Sequence, residues 1–177
     1  MSALGGKRTL AICCYDGQVS DPYFPTSDFL CMVANDEVPL AGSDAGDGNL
    51  NLLIAFTRDA DLSNRDWATM LLASSDIDTP KVRAALLSAT EDSDTVVRGE
   101  ALQGLAERDP ALALPLVKRE LRGDDCSYPT FQAARTIAHR DLIAELRKWL
   151  GNGGATWIDA EIGGALAACE AAVAQIS

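Results

Sequence analysis

The stretch that decides the fold is Asp94–Ala106, which reads Asp-Thr-Val-Val-Arg-Gly-Glu-Ala-Leu-Gln-Gly-Leu-Ala. Its apolar residues recur at steps of three and four, the period of an amphipathic helix, and Asp94 is a typical residue to cap a helix N-terminus. A similar stretch begins 33 positions earlier and carries matching residues, which are Arg65 with Arg98, Ala68 with Ala101, Leu72 with Leu105, and Ala73 with Ala106.

Two weaker copies follow, 32 and then a further 29 positions along the chain. A repeat of about 30 residues built from helices is typical of an α-solenoid, in which stacked helix pairs bury one continuous core. The repeat predicts two core columns on the second helix of each pair, one at 68, 101, 133 and 162 and one at 72, 105, 137 and 166.

Local signals divide the rest of the chain into short helices. Thr79-Pro80, Asp94 and Asp109-Pro110 each place a capping residue before a helical pattern, with proline in the first turn of two of them. We predict eight helices joined by short turns and no room for a sheet, over the ranges 49–58, 62–74, 80–90, 94–107, 110–121, 129–139, 141–151 and 156–173.

The repeat also resembles a known family. Asp94–Ala106 is similar to the second helix of a HEAT repeat, Asp78–Leu86 is similar to the helix before it, and Pro115 resembles the kink of a first helix. The closest form is the short bacterial, bilin-lyase type. The resemblance covers about 58–140 well and 141–175 weakly, and it does not reach 1–48. It implies an all-α fold, a short solenoid of about four HEAT-like helix pairs.

The same resemblance implies a structural ladder of aspartates and arginines, made of Asp61, Arg65, Asp94 and Arg98. We expect each arginine to tie the start of a second helix to an acid in an adjacent turn, because a half-buried guanidinium is tolerated only when it is paired. The arginine position holds Thr130 in the third copy and Asp159 in the fourth, so the ladder is implied for the first two copies only.

Residues 1–48 differ in composition from 49–177, and we predict an irregular or partly disordered N-terminal arm before a solenoid domain. Glycine and proline are frequent there, and Ser43–Gly48 has the composition of a solvated linker. Leu10–Tyr15 and Phe29–Val33 are predicted as short strands or as apolar patches that dock on a partner. The arm is either a recognition element or a poorly ordered leader.

Composition excludes several classes of function. The 177 residues carry a net charge of −11, which argues against a domain that grips nucleic acid or an anionic membrane. The five cysteines are odd in number and form no Cys-x-x-Cys pair, and His139 is the only histidine. We therefore expect a cytoplasmic protein with reduced thiols, no metal, no cofactor and no catalytic residue.

The predicted binding surface is the concave face lined by the second helices. Residues expected there with a partner-binding role are Trp67, Met70, Glu100, Gln103, Glu107, Gln132, Arg135 and His139. Trp67 is either an exposed anchor for the partner or is packed against the first helix or the arm. His139 is expected to lie at a helix C-terminus, where the dipole favours a positive charge, and the glutamates are usually a solvated face.

These features favour a non-catalytic scaffold or adaptor that holds a protein or peptide segment, basic or amphipathic, on the concave face. The alternative is a bilin-lyase-like enzyme that handles a chromophore, which would need a roomy pocket and placed acid–base groups. A DNA glycosylase-like role would need several basic residues in the groove, where only Arg135 and His139 stand. The alanine-rich last helix also allows end-to-end self-association.

Overall fold

The computed structural model describes residues 23–151 and 156–175, and every regular element in these ranges is a helix. Nine α-helices are present there, and a 3₁₀ turn at Arg140–Leu142 precedes the eighth. They are α1 (Asp28–Ala34), α2 (Asp44–Phe56), α3 (Leu62–Ser74), α4 (Pro80–Ala89), α5 (Thr95–Arg108), α6 (Pro110–Glu120), α7 (Tyr128–Ile137), α8 (Ile143–Trp149) and α9 (Thr156–Ala174).

Helices α4, α5 and α6 begin where their capping signals predicted, and Asp61, expected as a ladder acid, caps α3. The side chain of Asp61 accepts a hydrogen bond from the amide of Ser63 at α3, and Asp94 accepts from two amides at α5. Thr79 and Asp109 do the same at α4 and α6, each followed by proline. These bonds satisfy amides that have no partner inside the helix, so the helix starts are set by residues next to one another in the chain.

The helices pair as α2 with α3, α4 with α5, α6 with α7, and α8 with α9, which confirms a short α-solenoid of about four pairs. The second helices α3, α5, α7 and α9 contact one another in succession, whereas the first helices α4, α6 and α8 pack mainly on this inner layer. These second helices form the inner layer of the stack. We call their solvent-facing side the inner face.

The first predicted core column is buried at all four positions, whereas the second is buried at 72 and 105 and only partly buried at 137 and 166, where Ile137 and Leu166 pack against the core. Ala68, Ala101, Ala133 and Ile162 are fully buried, as are Leu72 and Leu105. Two glycines allow the inner helices to approach closely: a Cβ on Gly104 would lie 2.7 Å from the Cβ of Ala73, and one on Gly99 would lie 2.1 Å from Ser127 Oγ. The inner layer is therefore packed through backbone as well as side chains.

The part of the predicted arm that the structure describes contains the short helix α1 and the start of α2, while residues 23–27 and 35–43 have no regular element. Phe29–Val33, predicted as a strand or docking patch, lies in α1, where Leu30 and Val33 are buried and α1 contacts α3. Ser43–Gly48 is the start of α2 rather than a linker, because Ser43 Oγ accepts a bond from the amide of Gly46. Leu10–Tyr15 and the rest of 1–22 lie outside the described residues.

The C-terminus of α7 also differs from prediction. The helix predicted over 129–139 is α7, and it ends earlier because Ala138 adopts a left-handed conformation with φ 48°. His139 therefore precedes the 3₁₀ turn, where its Nδ1 accepts a hydrogen bond from the amide of Asp141 at 3.2 Å. His139 thus lies one residue past the C-cap of α7 rather than in the last turn of that helix.

None of the helices in the described ranges combines the length and the apolar character that a membrane crossing requires.

Candidate functional site on the inner face

Trp67, predicted as an anchor or as a packed residue, is packed. Only 6% of its surface is exposed, and it belongs to the main hydrophobic core. The structure therefore supports the packing alternative, and Trp67 presents no aromatic surface for a partner. Met70, one turn later on α3, is partly buried against the same core.

The middle of the inner face is polar and bonded within the chain. Gln103 Nε2 on α5 donates to Glu107 Oε1 at 2.8 Å and approaches Thr136 Oγ1 on α7 at 3.5 Å. Gln103 Oε1 is buried and accepts no hydrogen bond from the described residues. Gln132 is partly exposed on α7, and Glu107 is exposed.

Next along the inner face, α7 and α9 carry a charge pair. Arg135 Nη1 lies 3.6 Å from Glu161 Oε1, and the arginine side chain is 59% exposed against 11% for the glutamate. Tyr128 donates its hydroxyl to the other oxygen of Glu161 at 3.3 Å, and its ring packs on Trp157 with centroids 5.2 Å apart. The carboxylate of Glu161 is thus compensated by groups of the same chain.

The first half of the inner face holds two carboxyl groups that form no ion pair with the described residues. Asp66 is in the first turns of α3 and Glu100 is in the second turn of α5, and both are partly buried. Burial, together with the charge of Asp66, raises the pKa of Glu100 to about 8. Burial also raises the pKa of Asp66 to about 6, although a hydrogen bond from Tyr23 opposes the rise. We call Asp66 and Glu100 the acid pair.

The acid pair corrects and extends the predicted site. Glu100 was expected on a solvated face and is partly buried on α5, and this burial raises the pKa of its carboxyl to about 8. Asp66 was not predicted at all. The repeat gives no signal for Asp66, because Asp66 aligns with Gly99 and Glu100 aligns with Trp67.

Arginines at the rim confirm the paired role expected for Arg65 and Arg98. Arg65 Nε donates to Asp92 Oδ2 at 2.9 Å, and its Nη1 donates to the carbonyl of Asp59 at 3.0 Å. Arg98 Nε donates to Glu120 Oε1 at 2.8 Å. Each arginine thus joins the start of one second helix to an acid that follows it in the chain.

The acids of the ladder are not those that the resemblance implied. Asp61 and Asp94 are helix caps, and their place opposite the arginines is taken by Asp92 and Glu120. Because a capping carboxylate is already bonded to backbone amides, the guanidinium pairs with the next acid along the rim. Burial by itself raises the pKa of Asp92, but bonds from Arg65 and a backbone amide outweigh it and hold that pKa below its usual range.

The ladder also extends beyond the first two copies, through residues that the repeat did not indicate. Arg122 Nε donates to Glu145 Oε1 at 3.0 Å, and Arg147 Nη2 donates to Glu170 Oε1 at 2.8 Å. A polar cleft of about 460 Å³ opens at the same rim, lined by ladder residues Arg65 and Asp92 together with Arg58 and Glu91.

Arg108 has a structural role that the sequence did not reveal, separate from the ladder. Its guanidinium donates to the carbonyls of Leu72 at 3.1 Å and Ala73 at 2.8 Å, which have no partner within α3. It also donates to the carbonyls of Ser75 and Ile77 in the turn that follows. One side chain on α5 therefore closes the C-terminus of α3.

The comparisons with known proteins bear on the fold alone. No family model and no curated protein matches the chain. The X-ray structure of the Escherichia coli protein YibA is similar over 79% of this chain, with a TM-score of 0.55 and 20% sequence identity. The match covers 54% of YibA, so this chain spans about half its length. The architecture described above is therefore one that a solved protein structure shares.

Proposed function

We propose that this protein is a non-catalytic scaffold or adaptor of the HEAT-repeat type that binds a segment of another protein on its inner face. The observation that carries the proposal is the acid pair, because partly buried carboxyl groups without a cation are destabilising unless something else compensates them. At the rim, by contrast, the arginines and acids described above satisfy one another.

The partner is a basic or amphipathic segment in the cytoplasm. The net charge of −11 favours a positively charged partner through long-range attraction. Since exposed charges are screened by salt, the complex should weaken as ionic strength rises. The face is long enough for an extended segment, because neighbouring helix axes are about 8–10 Å apart and four second helices line it.

Affinity purification with the full chain tests this proposal. The test variant exchanges two charges on the inner face, Glu107→Lys with Arg135→Glu. The matched control exchanges an ion pair of the outer layer, Glu91→Lys with Arg119→Glu, whose atoms lie 2.7 Å apart in the native chain. Both variants keep the net charge, and all four side chains are exposed.

We expect one partner to be captured by the native chain and by the control, and to be lost from the inner-face variant. The captured protein should elute at moderate salt. A partner that both variants retain would place binding elsewhere on the surface, and capture of no partner would equally contradict the proposal.

A further inference from the structure

Consecutive first helices are joined by an ion pair at two steps of the stack. The residue that directly follows the C-cap of α4 is Glu91, and its carboxylate lies 2.7 Å from Arg119 of α6. The residue that follows the C-cap of α6 is Arg122, whose Nε donates to Glu145 of α8 at 3.0 Å. At both steps, a charged residue after one first helix therefore finds its counter-ion on the next first helix.

The same two steps share a second contact, which involves the C-cap carbonyl. Arg119 donates to the carbonyl of Thr90, the C-cap of α4, at 3.3 Å, and Trp149 Nε1 on α8 donates to the carbonyl of Leu121, the C-cap of α6, at 2.8 Å. Carbonyl groups at a helix end have no partner inside the helix. A long side chain from the last turn of the next first helix thus fills the gap and satisfies that end.

The step from α2 to α4 lacks both contacts. Arg58 directly follows the C-cap Thr57, but α4 contains no acid that could pair with it. Ser88 stands two residues before the C-cap of α4, as Arg119 does in α6, and its short side chain leaves the gap unfilled. Among the described residues, Arg58 forms no ion pair and no side chain donates to the carbonyl of Thr57.

The unfilled gap is the polar cleft of about 460 Å³ at the rim, which we call the rim cleft. Thr57, Arg58 and Ser88 line it together, and its volume is in the range of sites that hold a small ligand. Arg58 is exposed, so its guanidinium is accessible to a group that enters from outside.

The acids that line the rim cleft already have partners within the chain. Asp92 accepts a hydrogen bond from Arg65 at 2.9 Å, and Asp59 Oδ1 accepts one from a backbone amide two residues later at 2.8 Å. The third acid, Glu91, belongs to the ion pair of the next step. Of the charged side chains that line the cleft, Arg58 is the one without a partner in the described part of the chain.

We propose that the rim cleft binds an aspartate or glutamate of a peptide or protein segment, with Arg58 as the counter-ion of its carboxylate. A guanidinium and a carboxylate form two parallel hydrogen bonds, and the backbone amide of the bound residue can donate to the carbonyl of Thr57. A phosphate fits less well, because its second charge would lie near three carboxylates and the negative ends of α2 and α4. The rim cleft is thus a second interaction site, separate from the inner face.

Titration of the full chain with the blocked tripeptide acetyl-Gly-Glu-Gly-amide tests this inference, and NMR spectra of the backbone amides follow the binding. The control probes are acetyl-Gly-Gln-Gly-amide, which is the neutral isostere, and inorganic phosphate. We expect shifts from the glutamate peptide at the residues that line the rim cleft. The glutamine peptide should bind about three- to fivefold more weakly, which is the effect that one exposed ion pair provides, and phosphate should cause smaller shifts there.

Matched variants locate the effect. Arg58→Gln should weaken binding of the glutamate peptide about three- to fivefold and leave the glutamine peptide unaffected. Arg140→Gln, which removes an arginine that is 75% exposed and lies outside the cleft, makes the same change of net charge and should alter neither affinity. Ser88→Met places a longer, neutral side chain at an exposed position of the cleft and should weaken binding of both peptides.

Several results would overturn the proposal. These are equal affinity for the two peptides, native affinity in Arg58→Gln, phosphate shifts as large as those of the glutamate peptide, and no shift at the cleft up to the solubility limit of the peptide. The inner-face variant, Glu107→Lys with Arg135→Glu, leaves every residue of the rim cleft unchanged. Failure of this inference would therefore leave the proposed adaptor role standing, and the reverse holds too.

Discussion

Replacement of Arg108 by methionine should destabilise the protein more than replacement of any single exposed side chain. The side chain has five donor hydrogens, and it donates hydrogen bonds to carbonyl oxygens at the end of α3 and in the following turn. The shortest bond to the helix end joins Nη1 to Ala73 O at 2.8 Å. Its own pKa is lowered, chiefly by burial, which indicates that the guanidinium gives up water to make these bonds.

The magnitude follows from those contacts. A hydrogen bond from a charged group contributes about 1.5–3 kcal/mol, and a carbonyl left without a partner in a partly dry site costs about 1–3 kcal/mol. Water can reach part of the vacated space because Arg108 is only partly buried. We therefore expect a loss of about 3 kcal/mol, which for a chain of this size lowers Tm by roughly 6–12 °C.

Thermal and urea unfolding followed by circular dichroism provide the measurement, with two comparison variants. Arg108→Lys keeps the charge but loses the planar fork, so most of the destabilisation should remain. Arg119→Met removes a half-exposed arginine that forms one long carbonyl bond, 3.3 Å to Thr90 O, and an exposed ion pair with Glu91 at 2.7 Å, and it should cost below about 1 kcal/mol. If Arg108→Met cost no more than Arg119→Met, the helix-closing role would be refuted.

Two further predictions concern the inner layer. Gly104→Ala should destabilise by about 1–2 kcal/mol, since the new Cβ would meet Ala73 Cβ at 2.7 Å, whereas Gly163→Ala on α9, where nothing lies within 4 Å, should stabilise by about 0.5–1 kcal/mol. Relative to the native protein, Glu100→Gln should raise the free energy of unfolding by about 3 kcal/mol more at pH 9 than at pH 4. This figure allows for the partial exposure of the side chain.

The sign of the pH effect follows from proton binding. The pKa of Glu100 is about 8 in the folded state and 4.5 as the ordinary value, so between these the folded state holds more protons and stability falls as pH rises. Glu100→Gln removes that fall. Chemical denaturation at both pH values, with Glu107→Gln as the control, measures the difference. An identical pH dependence in native and Glu100→Gln proteins would disprove the burial of this carboxyl, and equal Tm values for the two glycine variants would disprove the close approach of α3 and α5.

Local signals account for most of the agreement between prediction and structure. α3 begins and ends at Leu62 and Ser74 as predicted, because Asp61 bonds an amide two residues away and the helical period is a property of neighbouring residues. The prediction was wrong at α2, where the glycines at positions 46 and 48 indicated a linker. Gly46 is needed because a Cβ there would lie 2.7 Å from the backbone of Ala41.

Side-chain partners were less predictable than helices. Arg65 and Arg98 were expected to be paired, yet their acids, Asp92 and Glu120, lie 27 and 22 residues along the chain. The burial of Trp67 and the closing of α3 by Arg108 likewise depend on atoms from other helices. A repeat pattern fixes which face of a helix is buried, but it does not specify which polar group stands opposite another.

The sequence alone therefore determined the repeat, the capped helices and the buried columns, since these follow from interactions within a few residues. Only the tertiary structure decided that Trp67 is in the core and that Arg65 and Arg98 pair with Asp92 and Glu120. The physical reason is that burial and charge compensation are properties of the space between helices. That space is defined only when α3 and α5, whose facing residues are some 33 positions apart, have packed together.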